Sequence, residues 1–500
     1  MKYRLVIFLC FAFELLFSQS SIGFIDNYSG IQSVSYNPAN ILDTQYKFDF
    51  NIITTSIHAD NNNYSAYPFK VLGDLKFGLK DIIPNYINYK ETTLPNSTYG
   101  LQNPSKYIYR NITSNRNNFY ASGSLLGPSF LWSINHNNAI AVTTSLRFSS
   151  QALNINTKLI SDVAIDKKKL DLSTATLSEA IKFVDDFDLE YDHSSEGFYW
   201  AELGVSYAGV IKSSPRDFLK LGGTLKLLRG IRTAGVSVKD LDLNLNYNPT
   251  NPTQSSLDFS GNVVTSFSEN GTNFGMGLDL GMVYERRDKN LPVNLIDSRG
   301  NVYYSKSSYT YKLGFSIIDF GYLNYDKVVS NRNIPNNFII NLASSNYTLD
   351  IENYFSISKA VKTKETYLLP TTARFNFDYN INTKWYLNAN YEFYMLGSTS
   401  RNRIHYISNF VISPRYETEK LSIFMPFSLN EFGVFKSGIG IRTGYFFLGS
   451  SSLFTNLSSY SKSGDLFLGL KIPFLDKKVV KEYKYSIDKK YSNSKLNRRR

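Results

Sequence analysis

The chain carries four histidines, His58, His136, His193 and His405, and no two of them are close in sequence. Set on one helical turn around a glutamate, or combined with closely spaced cysteines, such residues would hold a transition metal. Neither pattern is present, and the one cysteine, Cys10, lies in an apolar stretch near the start. No metal and no other cofactor is expected. Asp185, Asp186, Asp188, Glu190 and Asp192 concentrate carboxylates that could attract calcium, but the run lacks the glycine turn and closing glutamate of a calcium loop and reads more simply as a solvated segment. A serine and a histidine can meet across strands without any local signature, yet nothing singles out such a pair. His136 falls in a short polar turn and His405 beside Arg401 and Arg403, where both read as surface residues. No catalytic residue is assigned and no enzymatic activity is expected. The pairs Gly275/Gly277 and Gly438/Gly440 lack the Gly-Lys-Ser/Thr ending of a phosphate loop and read as places where a crowded interior needs room.

Charge is more informative by position than by type. Arg147, Glu202, Lys220, Lys226, Asp279, Glu285, Arg374, Asp378, Glu392, Arg442 and Lys471 fall on the less apolar side of segments that alternate with period two. Phe274, Met276, Leu278, Leu280, Met282 and Tyr284, for example, oppose Gly275, Gly277, Asp279, Gly281 and Glu285. With the apolar side against lipid, these charges face a lumen, where each needs water or an opposite charge. Mixed signs predict a lattice that braces the interior and holds a plug, not a single-sign ion filter.

Fourteen such segments position them, with 12 or 16 as alternatives: 46–57, 118–134, 139–149, 199–207, 219–227, 274–285, 309–318, 371–380, 385–395, 404–415, 420–428, 434–442, 445–450 and 464–474. In the last, Leu466, Leu468, Leu470, Ile472 and Phe474 form one apolar face, and the terminal Phe474 fits a closing strand. The expected fold is all-β, an antiparallel transmembrane barrel, for which an even count places both chain ends on one side. Long segments, 58–117, 151–197, 230–273 and 321–370, would then be loops on the far side, 170–188 having the apolar spacing of a helix. Aromatic residues make up 15% of the chain without any long apolar run beyond the first 20 residues, which suits strands with aromatic girdles and excludes membrane helices.

Residues 1–20 read as a signal peptide, with Lys2 and Arg4 before an apolar core. Cleavage would leave an exported chain without cysteine, which fits the bacterial outer membrane. Of the net charge of +12, residues 476–500 hold ten Lys or Arg against three acids and end in Arg498, Arg499 and Arg500. This basic periplasmic tail reads either as a solvated end or as a contact for acidic partners, and nucleic acid is not expected. Between the signal peptide and the barrel (45–475) lies segment 21–44, where Asn37-Pro38-Ala39 is either a plug anchor or an ordinary turn before a strand.

An Asn-Pro-Ala element in that place, followed at once by alternating strands, resembles the N-terminal plug of FadL-type channels for hydrophobic compounds. Gly127-Pro128-Ser129-Phe130, residues 225–230, 277–281, 316–321 and 464–474 look like an uncharacterised family of Bacteroidota outer-membrane barrels. The resemblance implies a barrel in which residues 22–44 form a gate, and a channel passing a hydrophobic or amphipathic small molecule. The alternative is an outer-membrane scaffold that binds proteins through its loops or tail. Expected partners are outer-membrane lipid, a hydrophobic ligand, and periplasmic or surface proteins.

Overall fold

A computed structural model of the chain describes residues 26–44, 46–66, 108–110, 116–135, 137–156, 193–214, 216–246, 256–268, 273–287, 295–296, 302–303, 309–341, 356–357, 360–382, 384–396, 402–458 and 461–475. The signal peptide, the 170–188 helix and the basic tail expected from sequence lie outside the described residues.

Fourteen runs of strand make one wall. They are β1 (Tyr46–Asn61), β2 (Arg116–Leu126, resumed as Ser129–Ser133), β3 (Asn138–Asn156), β4 (His193–Ser213), β5 (Asp217–Asn246), β6 (Ser256–Ser268, resumed as Phe274–Arg287) and β7 (Tyr309–Asn341). They continue as β8 (Val361–Leu368, resumed as Thr372–Asn380), β9 (Trp385–Tyr394), β10 (Asn409–Glu417), β11 (Ser422–Phe424, resumed as Phe427–Asn430), β12 (Phe435–Ser437, resumed as Ile439–Thr443), β13 (Phe446–Ser450) and β14 (Ser463–Leu475). Each pairs antiparallel with its sequence neighbours. The ring closes where β1 meets β14, from Tyr46↔Leu475 to Asp60↔Ser463, so the ring itself has no edge strand. Three interruptions coincide with proline: Pro128 in β2, Pro370 in β8 and Pro426 in β11, each lacking the N–H that a ladder needs.

The two faces of the wall differ as lipid and lumen require. Leu203, Val205, Tyr207 and Ile211 of β4, Leu221, Leu225 and Leu227 of β5, and Phe274, Met276 and Leu280 of β6 are exposed, while Ser206, Lys220, Thr224, Lys226 and Asp279 between them are buried. Phe474 is exposed, its ring 5.8 Å from that of Phe48 across the closing seam.

One rim is made of short reversals, except for the longer connection from Arg287 to Tyr309. Ser214 and Asp217 close one by hydrogen bond, Thr418 and Leu421 another, and Gly444, at φ +54, turns β12 into β13. The opposite rim departs from the expected loops. Segments 230–273 and 321–370 are largely strand, because β5 runs 30 residues and β7 runs 33. At about 3.3 Å per residue each spans roughly 100 Å, far more than an apolar band of about 25 Å. Beyond the band both faces meet water, so the hydrophobic alternation ends, but the hydrogen-bond ladder does not: β5 and β6 pair out to Asn246↔Ser256, and β6 and β7 out to Asn341↔Ser256.

The lumen is obstructed. Two 3-10 turns, Gly30–Ser35 and Pro38–Leu42, form an N-terminal plug inside the wall. Its Ile31, Val34, Ile41 and Leu42 pack on Leu131, Ala139, Ala141 and Ala208, where small inward wall residues leave space for larger plug side chains. Farther along the axis, Phe198, Trp200, Leu228, Leu323, Tyr325, Tyr367, Leu369 and Ile404 form a second cluster.

Candidate functional site

Asn37 anchors the plug. Its backbone is extended, at φ −153 and ψ 116, as the following proline demands. Its side-chain Oδ1 accepts from the Ala39 N–H at 2.9 Å and caps the second 3-10 turn, with Pro38 in the first position. Nδ2 donates to the carbonyls of Met282 and Phe315, each at 3.2 Å, and these two residues are cross-strand partners on β6 and β7. The wall admits the motif through glycines. A Cβ on Gly222 would lie 2.6 Å from Pro38 C and Ala39 N, and one on Gly281 would collide with the Asn37 amide.

Ionic and hydrogen-bonded contacts fix the plug around its circumference. The Asp26 carboxylate takes Arg442 Nε at 2.6 Å and the Ser422 hydroxyl at 2.9 Å. Asn27 Nδ2 donates to Glu417 at 2.8 Å. Lys471 Nζ donates to the carbonyls of Tyr28 and Ser29 at 2.6 and 2.8 Å and pairs with Asp49, which also accepts the Ile31 N–H. Arg374 donates to the Ser35 carbonyl at 2.8 Å, and the Tyr36 hydroxyl donates to Asn390 at 3.0 Å. At the other end, Asp43 receives Lys220 on Oδ1 and Lys312 on Oδ2, the latter at 3.2 Å. Lys220 also pairs with Glu285 at 2.6 Å, and Arg415 joins Asp378 and Glu417 at 3.0 and 2.7 Å. Burial alone would raise the Asp43 carboxyl, but the two ammonium groups outweigh it and hold the group at about 2. At Asp26, burial is likewise outweighed by Arg442 and Arg415, which keep its carboxyl below the ordinary range.

A second ionic layer lies inside the wall. Arg147 bridges Glu202 and Asp319, each at 2.9 Å, and Lys226 bridges Asp279 at 2.8 Å and Asp319 at 2.6 Å. Sequence parity does not point to Asp319, which occupies a left-handed conformation at φ +60 where the β6–β7 register slips. This bulge turns it inward and sends Phe320 out. Asp26, Asp43, Lys312, Arg415 and Glu417 are also absent from the sequence-derived set; alternation would have placed Lys312, next to the exposed Leu313, inside, and likewise Arg415 and Glu417, which continue the buried register of Val411 and Ser413 opposite the exposed Phe410 and Ile412.

His405 and Arg403 are not surface residues. Segment 402–408 dips into the lumen: Ile404 N–H donates to the Leu368 carbonyl, Gln151 holds the Arg403 carbonyl and the His405 N–H, and Ile404 is fully buried. The His405 ring stacks on Tyr120 at 4.3 Å and reaches Glu431 at 3.3 Å. Glu392 accepts from Tyr406 of the same segment. The apolar pull of Ile404 and Ile407, both buried, outweighs the cost of carrying two basic side chains inward. His136 lies outside the described residues.

The cavities between these groups, among the described residues, include one of about 10 Å³ by Asp26, Asp43 and Lys312 and one of about 20 Å³ by His58, Tyr120, His405 and Lys436. Each has room for a water molecule and not for an organic ligand. Among the described residues no group of three or more His, Cys, Asp or Glu side chains is placed to hold a metal ion.

A family model described as "Family of unknown function (DUF5723)" matches residues 38–451. No curated protein matches the chain. Among solved structures it is similar to the Pseudomonas putida toluene transporter TodX, at 9% identity over 89% of this chain and 95% of that one, with a TM-score of 0.41. A TodX mutant monoaromatic hydrocarbon channel matches at 8% identity over 89% and 95%, with a TM-score of 0.43. A Pseudomonas aeruginosa FadL homologue matches at 11% identity over 88% and 94%, with a TM-score of 0.27.

Proposed function

The chain belongs to the DUF5723 family of unknown function, and we propose that it is an outer-membrane channel whose plug, residues 22–44, moves aside to admit a hydrophobic or amphipathic small molecule. The observation that carries this reading is the separateness of plug and wall. The wall closes on itself by strand pairing at the β1–β14 seam, whereas the plug contributes no strand and is held by side-chain hydrogen bonds, ion pairs and one apolar patch. Polar contacts of this kind exchange with water at little net cost, while a broken ladder would open the barrel. Moving the plug uncovers Leu131, Ala139, Ala141 and Ala208, an apolar lane beside polar groups, which suits a passenger with both characters. Asn37, Pro38 and Ala39 are the anchor, and the inward charges from Arg147 to Lys471 brace plug and lumen.

The test is conductance and uptake in a planar bilayer or vesicle. The full chain is expected to be nearly silent, and deletion of residues 22–44 should raise both ion conductance and entry of an apolar fluorophore at least tenfold. A deletion variant that inserts normally and stays silent refutes the channel.

Obstruction of the lumen by the plug and by segment 402–408 favours a second reading, a scaffold that docks proteins. Purification in mild detergent separates the two. A stoichiometric small molecule lost with residues 22–44 marks the channel, and a stoichiometric protein lost with Lys477–Arg500 marks the scaffold.

A further inference from the structure

We propose that Lys220 and Lys312 form an oxyanion site which Asp43 fills while the plug is docked, and which a carboxylate or phosphate occupies when the plug leaves. This rests on the reading of residues 22–44 as a displaceable gate.

The geometry is that of a bound anion. Two ammonium groups from separate strands, β5 and β7, converge on the two oxygens of one carboxylate, the arrangement in which charge-assisted hydrogen bonds are strongest. The two lysines differ in what they keep. Lys220 retains a wall partner, Glu285 at 2.6 Å. Lys312 has both of its hydrogen-bond partners in the plug, Asp43 Oδ2 and Asn27 Oδ1, each at 3.2 Å, and otherwise lies 4.6 Å over the Tyr309 ring. Withdrawal of the plug therefore removes both hydrogen-bond partners of Lys312 and leaves it only the longer-range attraction of Asp378 and Glu285 of the wall, a gap that a charge-assisted hydrogen bond to an incoming anion fills.

Charge at this level supports the same conclusion. Lys220, Arg287, Lys312, Arg415, Arg442 and Lys471 of the wall are joined by salt bridges to the wall carboxylates Asp49, Glu285, Asp378 and Glu417 and to the plug carboxylates Asp26 and Asp43. With the plug in place the signs balance, and without it the wall is left with two positive charges in excess. The layer formed by Arg147, Lys226, Glu202, Asp279 and Asp319 has the opposite bias, so an anion would be held at the plug level and not along the whole lumen.

Chemical rescue tests the site in the full chain. Asp43→Ala should lower the melting temperature, and 50 mM acetate or inorganic phosphate should recover at least half of the loss at fixed ionic strength. Asp43→Ala combined with Lys312→Gln should show no recovery. Recovery in neither variant, or equal recovery in both, overturns the proposal. Preference for acetate over phosphate assigns the site to a carboxylate, and the reverse to a phosphate. If Asp43→Ala does not fold, Asp43→Gly, which also vacates the space of the carboxylate, carries the same comparison. In the 22–44 deletion, Lys312→Gln should shift the reversal potential in a KCl gradient toward potassium. Conductance without that shift removes the site and leaves the channel standing, while a silent deletion removes the channel and leaves the rescue to decide the site.

Discussion

Asn37 uses its one side-chain amide to cap the plug and to grip two carbonyls of the wall. Asn37→Asp keeps the cap but turns two donors into acceptors facing carbonyls. At about 1–3 kcal/mol for a buried polar group left unpaired, the plug should undock before the wall melts, seen as protease cleavage within residues 26–44 of an otherwise resistant barrel. Acid should act on Asp43, which faces Lys220 from β5 and Lys312 from β7 with Glu285 of β6 behind them. Its folded carboxyl, at about 2, lies below the ordinary value of 3.8. Its stabilisation is therefore complete above about pH 4 and lost as pH falls through 2. Plug release measured by conductance should rise across that window, and Asp43→Asn should lack this component. Alternation alone places Lys226, Asp279 and Arg374 on the face they occupy, because a period of two has only two answers. It misses Asp319, where a bulge reverses the parity, and it misplaces His405, whose burial is set by the neighbouring Ile404 and not by its own polarity.

At the scale of elements, the wall was legible wherever lipid and lumen impose a contrast between successive residues. Fourteen segments follow from that contrast, including the short pair around Gly444. The same contrast vanishes beyond the membrane, which is why segments 230–273 and 321–370 read as loops although their backbones stay paired. Asn37-Pro38-Ala39 can be singled out in the sequence ahead of β1, while its packing on Gly222 cannot, because a glycine in a strand carries no mark of what approaches it. Among the described residues, the buried apolar clusters of the lumen take no member from 237–264. A chain in which residues 237–264 are replaced by an Asn-Gly turn joining Val236 to Thr265, which already face each other across β5 and β6, should insert and keep its melting temperature within a few degrees. Loss of heat-modifiable migration on a gel would show instead that the projecting strands hold the barrel together.

For the whole molecule, the interior is obstructed at two depths by different means, an N-terminal plug bound through charge and segment 402–408 bound through backbone hydrogen bonds and Ile404. The plug immediately precedes β1, and β1 pairs with β14, the final strand of the ring. The ladder that closes the ring thus joins the two ends of the barrel sequence, and the plug lies against both strands of it, the Ile31 N–H on Asp49 of β1 and the Tyr28 and Ser29 carbonyls on Lys471 of β14. The Asp49–Lys471 pair that grips the plug also bridges the first strand to the last, so the plug doubles as a clasp across the one seam where the ring is joined by chain ends and not by a turn.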